Sequence, residues 1–281
     1  MLHVDLHCHT TASDGALDPL ALCARAVERG VSLLAITDHD TVAGVLAARA
    51  QLEAAPLSSG AFTLLAGIEY SAVWNHLGVH VVGLGIDTDH PATLEACDFY
   101  NRVRRERAEL IGVRLAKLRM PGATEGARAL AGDAQIGRPH FARFLVAQGY
   151  VRTVDDAFNK FLGTGKPGDV KSMWPSLAEV VEWIRAAGGT AVLAHPIKYR
   201  QTGARLRRLA ADFAACGGGA IEVVVGRQLA DESRFIGELC RNNDLAASVG
   251  SDFHGPSPWC ELGDIHALPA GCTPVWERWL N

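Results

Sequence analysis

Histidines and carboxylates follow several apolar segments of this 281-residue chain. The first segment covers residues 4–10, and alternation along a strand sends Asp5, His7 and His9 to the same side. Two imidazoles side by side form half of a metal site. A His-x-His motif alone is common at surfaces and in cores, so its interpretation depends on what later segments add.

Later segments add further ligands. Six of the eleven histidines stand where an apolar segment ends, and carboxylates stand among them. In parallel α/β folds the carboxyl ends of the strands meet at one edge, where active sites form. We therefore expect nine side chains to converge there, namely His7, His9, Asp14, His39, Glu69, His80, His195, Asp252 and His254.

The chemistry of this set is that of divalent metal ions. Imidazoles and carboxylates without thiolates suit manganese, iron and zinc, and we expect manganese, with iron or zinc as alternatives. Nine ligands are too many for one ion and fit two or three, with Glu69 able to bridge two of them. Ions about 3.5–4 Å apart clamp a phosphate and generate hydroxide at neutral pH.

Other polar residues near these positions have plainer interpretations. We expect Asp5 and Asp38 to orient the ligands, with a hydrogen-bonded cap as the alternative for each. Asp40 is expected to be the N-cap of the helix that follows it. Cys8 lies inside the His-x-His motif, so its side chain should face the opposite way and pack.

The segments that position these residues alternate between strand and helix patterns. Asp18-Pro19 marks the start of one helix and Gly30 its end. This rhythm predicts a parallel sheet or barrel. Apolar runs predict its strands at residues 4–9, 33–37, 62–71, 79–84, 190–194, 220–225 and 246–250.

Residues 99–174 interrupt the rhythm. They show helical patterns without a strand, and they hold 14 Lys and Arg against 7 Asp and Glu, whereas the rest of the chain holds 13 against 24. We expect an inserted helical subdomain at 99–174, between barrel parts at 1–98 and 175–281. A basic segment suits an anionic substrate. The alternative is a solvated helical face, which is our interpretation of the arginines between residues 102 and 119.

Bulk composition excludes several classes of protein. No apolar run approaches the roughly 20 residues that cross a bilayer, and the N-terminus lacks a signal-peptide pattern. The seven cysteines are odd in number and lack CxxC spacing, which indicates reduced thiols in a cytoplasm. We expect no membrane association and no obligate protein partner. The C-terminal tail, with Trp259, Trp276 and Trp279, is expected to cap the body.

The motifs together resemble those of a known family. The chain is similar to the PHP (polymerase and histidinol phosphatase) metallophosphoesterases in a motif set that covers essentially its whole length: His7-x-His9, Asp14, Thr37-Asp38-His39-Asp40, Gly67-x-Glu69, His80, Ala194-His195-Pro196 and Gly250-Ser251-Asp252-x-His254. The insert resembles the subgroup that acts on nucleoside 3′,5′-bisphosphates and on the 5′ ends of short RNA, through Gly137-Arg138-Pro139-His140, Gly163-x-Gly165-Lys166 and Trp174.

The resemblance implies a distorted seven-stranded, TIM-like (βα) barrel with a three-ion site. One ion would take His7, His9, Glu69 and Asp252; a second would share Glu69 and add His80 and His195; the third would take Asp14, His39 and His254. Many family members have a histidine at the position of Asp14, so a carboxylate there should change the affinity of the third site.

The resemblance also implies roles for single residues. The catalytic group would be Glu69, Asp252 and His254, with His254 or a water giving a proton to the leaving oxygen. Phosphate contacts would come from Arg138, His140, Lys166 and Asp14. Arginine suits a bidentate grip and lysine a point charge. His140 has an alternative role as a cap of its own helix.

These implications define the expected function. The chain would remove the 3′-phosphate of nucleoside 3′,5′-bisphosphates to leave the 5′-monophosphate, and the same chemistry would shorten RNA from its 5′ end. Substrates that lack the second phosphate should react poorly, since remote binding energy is used at the reacting centre. The alternatives are a phosphatase of the histidinol phosphate type, a non-catalytic nucleic-acid-binding or polymerase-associated PHP module, and amidohydrolase chemistry.

Overall fold

Seven strands form one nearly closed barrel in the computed structural model, which describes residues 2–57, 62–170 and 174–279. The strands are β1 (Val4–Cys8), β2 (Leu33–Ile36), β3 (Thr63–Trp74), β4 (Leu77–Leu84), β5 (Thr190–Leu193), β6 (Ala220–Val225) and β7 (Ala246–Gly250), and each pairs with the next. The ends meet where the N–H of Asp252 donates to the carbonyl of His7 at 2.8 Å. The predicted seven-stranded barrel is confirmed.

β4 runs antiparallel to both of its neighbours, so the prediction of a parallel sheet is wrong for this strand. Trp74 pairs with Leu77, which leaves Asn75 and His76 as the whole turn, with φ of 45° and 64°. A two-residue turn with positive φ matches the twist of a β-hairpin. His80 therefore lies near the start of β4, and the reversed direction of the strand brings it to the edge where the other ligands lie.

The helices pack around the barrel and form the insert. In the described ranges they are α1 (Pro19–Glu28), α2 (Ala43–Ala54), α3 (Pro91–Lys117), α4 (Ala123–Ala131), α5 (Arg138–Ala147), α6 (Val154–Ala157), α7 (Leu177–Ala186), α8 (Gly203–Ala215) and α9 (Ala230–Asn242). α1 begins as predicted, because the Asp18 carboxylate accepts the N–H groups of Leu20 and Ala21.

Asp40 is not the N-cap of α2, which corrects the prediction. Val42 occupies that position without a side-chain cap. Asp40 has a φ of 56°, and its carboxylate contacts β3 and α3 instead of α2. It accepts the N–H of Ser71 at 2.7 Å and a hydrogen bond from Nε of Arg104 at 2.8 Å. The residue thus joins the barrel to the helix that enters the insert.

A second hydrophobic core lies within the insert, apart from that of the barrel. It runs from Ala108 in α3 to Val170 and includes Phe141 and Leu145 of α5. α3 crosses the predicted boundary at residue 99 without interruption, and its Tyr100 belongs to the barrel core. No strand occurs in the described part of residues 99–174. The division into three parts stays a prediction.

The helices, the cysteine thiols and the C-terminal tail bear on the remaining predictions. Within the described ranges, no helix has both the length and the apolar character that a membrane span requires. All seven cysteines lie in these ranges and are unpaired, and Cys8 packs against β2 with its thiol donating to the carbonyl of Ala35. Trp276 and Trp279 pack against the barrel core as expected of a cap, but Trp259 is exposed.

Candidate metal centre

His7 in β1 and His9, directly after its end, point to the same side, as strand alternation predicted. Both are buried, and their Nε2 atoms are 3.2 Å apart. Two ring nitrogens this close share at most one proton between them, so at least one offers a lone pair. A lone pair on an imidazole nitrogen is what a metal ion takes from histidine.

Glu69 lies at the middle of the cluster, buried in β3. Its Oε1 is 2.8 Å from Nε2 of His195 and 2.9 Å from Nδ1 of His80, and its Oε2 is 2.8 Å from Nδ1 of His39. The Nε2 atoms of His7 and His9 each lie 3.4 Å from a Glu69 oxygen. One carboxylate thus faces five imidazoles, as a bridging ligand would.

Asp14 and His254 extend the cluster from the loops after β1 and β7. Oδ1 of Asp14 is 3.3 Å from Nε2 of His254, and Oδ2 is 3.8 Å from Nε2 of His39. The ring of His9 stacks on that of His254, with centroids 4.1 Å apart. The carboxylate at Asp14 therefore takes part in a ligand group of its own with these three histidines.

Asp252 closes the cluster beside β7. Its Oδ1 is 3.2 Å from Nε2 of His9 and 3.4 Å from Nε2 of His7. Its other oxygen is bound by the ammonium group of Lys198, a residue that the sequence did not indicate. Asp252 has a φ of 53°, and such backbone strain is retained mainly at functional sites.

All nine predicted ligands converge at one edge of the barrel. Their donor atoms form four overlapping groups, each with atoms within 4.8 Å of one another: His9, Asp14, His39 and His254; His7, His9 and Glu69; His7, His195 and Asp252; His39, Glu69 and His80. Because the groups share members, the division of nine ligands among two or three ions stays a prediction.

The carboxylates of the cluster are ionised in spite of their burial. Burial alone would raise the pKa of Glu69, Asp252 and Asp14. The imidazoles that face each carboxylate, joined at Asp252 by Lys198, instead hold all three pKa values well below the ordinary range. The ionised carboxylate is the form that binds a metal.

The histidines differ in their protonation. Burial, together with the charges of His254 and His39, lowers the pKa of His9 to about 3. Burial opposes charge on His254 as well, but its hydrogen bond to Asp14 and the charges of Asp14 and Asp252 raise its pKa to about 9. His9 therefore offers a free lone pair, whereas an ion that binds His254 displaces a proton.

Several buried polar atoms of the cluster find no hydrogen-bond partner within the described part of the chain: Nδ1 of His9, His39 and His195, and Oε2 of Glu69. Buried polar atoms are nearly always satisfied. Oε2 of Glu69 and Nδ1 of His39 lie 2.8 Å apart without the alignment of a hydrogen bond, so both remain available to a third atom. These atoms and the donor chemistry of the set fit divalent cations.

Glu222 in β6 contacts the centre, although sequence patterns did not indicate it. Its Oε1 is 3.0 Å from Nδ1 of His7, and its Oε2 accepts the backbone N–H of His195 at 2.7 Å. A carboxylate can accept but not donate, so Nδ1 of His7 carries the proton and Nε2 faces the cluster. A lone glutamate inside the apolar run at residues 220–225 was the available signal.

Asp5 and Asp38 act on the loops that carry ligands. Asp5 accepts the N–H of Ser251, the residue before Asp252, at 2.9 Å. Asp38 accepts the hydroxyl of Ser13, the residue before the first-loop aspartate, at 2.6 Å. Each carboxylate thus holds the residue next to a predicted ligand and does not contact an imidazole ring.

A cavity of about 140 Å³ adjoins the centre on the side of the insert. Its wall contains three predicted ligands and three arginines, which are Asp14, His39, His80, Arg104, Arg107 and Arg138. The ring of Trp174 lies against two of the guanidinium groups, whose central carbons are 5.5 and 5.6 Å from its centroid. The interpretation of the α3 arginines as a solvated face is therefore wrong for Arg104 and Arg107.

The predicted phosphate contacts are placed differently from one another. Arg138 and Asp14 line the cavity. Nδ1 of His140 accepts the N–H of Gly137 at 3.0 Å, which is the helix-cap alternative at the start of α5. Lys166 is exposed and stands outside the cavity wall. Contact of these residues with phosphate stays a prediction.

Fold and donor atoms together define an α/β barrel with a histidine and carboxylate centre at one edge. The chain belongs to the PHP family: the PHP domain profile matches residues 5–121, and similar proteins match nearly the whole chain.

Two curated relatives and one solved structure carry this assignment. The chain is 46% identical over 275 residues to the 5′-3′ exoribonuclease Rnm of Escherichia coli (strain K12), covering 98% of this chain and 93% of the relative. It is 39% identical over 280 residues to a 3′,5′-nucleoside bisphosphate phosphatase of Chromobacterium violaceum, covering 99% and 96%. An amidohydrolase from Chromobacterium violaceum, solved with bound sulfate and no metal, superimposes with a TM-score of 0.89 at 39% identity, over 98% of this chain and 95% of that chain.

Proposed function

We propose that this chain hydrolyses the 3′-phosphate of nucleoside 3′,5′-bisphosphates, leaving the 5′-monophosphate, and that it also removes nucleotides from the 5′ end of short RNA. The two activities share one reaction, because in both of them water displaces the 3′ oxygen from phosphorus. The names of the relatives support both activities. The observation that carries the proposal is the arginine-lined cavity directly beside the candidate metal centre.

The centre is proposed to hold two or three divalent ions, manganese first and iron or zinc as alternatives, on the nine converging residues. Ions bound there supply neutralisation of the phosphoryl charge and a nucleophile at neutral pH. Glu69, which faces five imidazoles, is the proposed bridge. Asp252 and His254 complete the catalytic group, and His254 or a water gives the proton to the leaving 3′ oxygen.

The cavity is proposed to hold the phosphate that does not react. Burial, then the charges of Arg138 and Arg104, lowers the pKa of Arg107 to about 9, and an anion in this cavity would relieve that repulsion. Arg104 is already paired with Asp40. Arg107 and Arg138 donate to backbone carbonyls of the insert. Arg107 and Arg138 are therefore proposed to bind the second phosphate.

The other predicted contacts have different support. A carboxylate repels a phosphate, so Asp14 would act on the substrate through a bound ion. Lys166 lies outside the cavity wall and would reach the phosphate by folding its flexible side chain inward. His140 would use Nε2, because its Nδ1 already accepts the N–H of Gly137.

The proposed place of action is the cytoplasm. The unpaired state of all seven cysteines, each within the described ranges, supports a reducing compartment. The proposed substrates are small nucleotides and short RNA, and the reaction as proposed needs neither a membrane nor a protein partner.

Phosphate release from adenosine 3′,5′-bisphosphate by the manganese-loaded protein tests the proposal. The comparison substrates are 3′-AMP, 5′-AMP and histidinol phosphate, each with and without a chelator. We expect fast, chelator-sensitive release from the bisphosphate that leaves 5′-AMP. Equal or faster turnover of a monophosphate would contradict selection by the second phosphate. Lack of turnover of any ester would favour a non-catalytic module or hydrolysis of an amide bond.

A further inference from the structure

Part of the candidate metal centre is exposed to solvent outside the wall of the arginine cavity, and we call this exposed part the second opening. Among the nine predicted ligands and Lys198, the two most exposed side chains are Lys198, at 53%, and His254, at 38%. Neither lines the arginine cavity. Arg200, also exposed, ends the same short turn after β5. The turn after β5 therefore carries two exposed cations, one of which contacts Asp252.

Two large apolar side chains are exposed on the loops that follow β6 and β7, at the same edge of the barrel. Trp259 is 79% exposed and Leu229 is 68% exposed, the highest values among large apolar side chains in the described ranges. Scattered exposed apolar residues are common on protein surfaces. Exposure alone therefore assigns no function to Trp259, whereas its position and the hydrogen bonds around it are informative.

Trp259 stands at the tip of a tight turn. The backbone groups of Ser257 and Cys260 exchange hydrogen bonds at 3.3 and 3.4 Å. Inside the turn, the N–H of Trp259 donates to Oγ of Ser257 at 3.2 Å. The backbone that carries the indole ring is thus fixed by three hydrogen bonds, although the ring itself is in solvent.

The turn is also attached to the catalytic edge on two sides. Arg227, from the loop after β6, donates to the carbonyl of Pro258 at 3.3 Å. The thiol of Cys260 donates to the carbonyl of Ser251, which directly precedes the ligand Asp252. The indole ring thus extends into solvent from a fixed backbone, one residue from the thiol that contacts the segment carrying Asp252.

We propose that Trp259 stacks on the base of the nucleotide immediately downstream of the scissile phosphate in an RNA substrate. This inference rests on the proposed function. In RNA the scissile phosphate carries a second ester, to the 5′ oxygen of the next nucleotide, and a nucleoside bisphosphate lacks that nucleotide. With the 5′-terminal phosphate in the arginine cavity, the downstream strand leaves by the second opening.

The chemistry along this opening matches single-stranded RNA. Sites for single strands combine cations for the backbone with aromatic rings on which bases stack. Arg200 supplies an exposed cation, and Lys198 adds a second whose ammonium group is shared with Asp252. Trp259 supplies a ring that accepts any base because every base has a π-face. The alternative is a protein partner that covers the ring. In that case the effect of replacing Trp259 would not depend on whether the substrate is RNA or a single nucleotide.

The variant Trp259→Ala tests the inference with two substrates. We would measure kcat/KM for adenosine 3′,5′-bisphosphate and for a short 5′-phosphorylated RNA. We expect a roughly ten-fold loss on RNA, the scale of one base stacked on an aromatic ring, and a change below about two-fold on the bisphosphate. Trp259→Phe should keep most of the RNA activity. Tyr150→Ala, which removes another exposed ring, beyond the far end of α5, should change neither.

The outcomes separate this inference from the proposed function. If the unmodified protein hydrolyses neither substrate, the proposed function fails and the inference with it. If the unmodified protein acts on both substrates and Trp259→Ala keeps full activity on RNA, or loses activity equally on both, the inference alone is overturned. Activity of the unmodified protein on the bisphosphate but not on RNA overturns it too.

Discussion

His7 reaches the candidate metal centre in a defined orientation because Glu222 holds its other ring nitrogen. The same carboxylate binds the backbone of His195, so it holds two predicted ligands, one in β1 and one shortly after β5. A Cβ atom at Gly250 would lie 2.6 Å from Oε1 of Glu222 and 2.3 Å from Cβ of His7. Glycine at this position in β7 is therefore what allows the close approach.

Replacing Glu222 by Gln should weaken metal binding, because an amide cannot accept from both donors. We expect a roughly 10- to 100-fold lower affinity for manganese, the usual cost of losing a hydrogen-bond partner of a metal-binding histidine. Competition with a chelator measures this without reference to catalysis. Glu238→Gln, on the exposed face of α9, is the control and should keep its affinity. Equal affinity of the two variants would show that Glu222 does not orient His7.

The convergence of the candidate ligands could be predicted from sequence, whereas the residues that contact and orient them could not. Histidines and carboxylates at the ends of apolar runs form a local pattern. Glu222, Lys198 and Arg104 act instead on residues 27, 54 and 64 positions away. Local patterns contain no information about such pairs. Glu222 is visible in the sequence only as a charged residue inside an apolar strand, and Arg104 only as one of several arginines on a helix.

The β3–β4 hairpin shows why one element of the fold was predicted wrongly. The strongest signal for a two-residue turn is Asn or Asp followed by Gly. Here Asn75 is followed by His76, and a histidine with positive φ is uncommon. The turn therefore has half of the usual signal. The helix–strand rhythm around it favoured a parallel strand, but β4 pairs antiparallel with both of its neighbours.

The ion pair between Asp40 and Arg104 joins the barrel to α3, and its loss should destabilise both. Both side chains are buried. Asp40→Asn leaves a buried guanidinium group without its counter-charge, so we expect the free energy of unfolding to fall by about 3–5 kcal/mol. Denaturant unfolding of the metal-free protein measures this.

Two further variants distinguish the cost of an unpaired buried charge from a general loss of stability. Arg208→Met breaks an exposed pair with Asp212 and should cost about 0–1 kcal/mol. Adding Arg104→Met to Asp40→Asn should recover part of the loss, because the uncompensated charge is then removed. A double variant as unstable as the sum of its single variants would contradict this account.

The distribution of charge along the chain follows the roles proposed for its two parts. Residues 99–174 are basic and the rest of the chain is acidic. The acidic part supplies the carboxylates for cations, and the insert supplies the arginines of the cavity. The barrel could be predicted because its pattern repeats strand by strand. The cavity could not, because it depends on how α3 and α5 approach the barrel edge.

If the insert selects substrates by their second phosphate, Arg138→Ala should alter selectivity more than reactivity. The lost charge-assisted hydrogen bonds should lower kcat/KM for adenosine 3′,5′-bisphosphate roughly ten- to a hundred-fold. Hydrolysis of 3′-AMP should change little, because that substrate has no phosphate in the cavity. Arg152→Ala, at an exposed position of the insert, should leave both substrates unaffected. An equal loss on 3′-AMP would mean that Arg138 supports the centre itself, and no loss on the bisphosphate would mean that its second phosphate binds elsewhere.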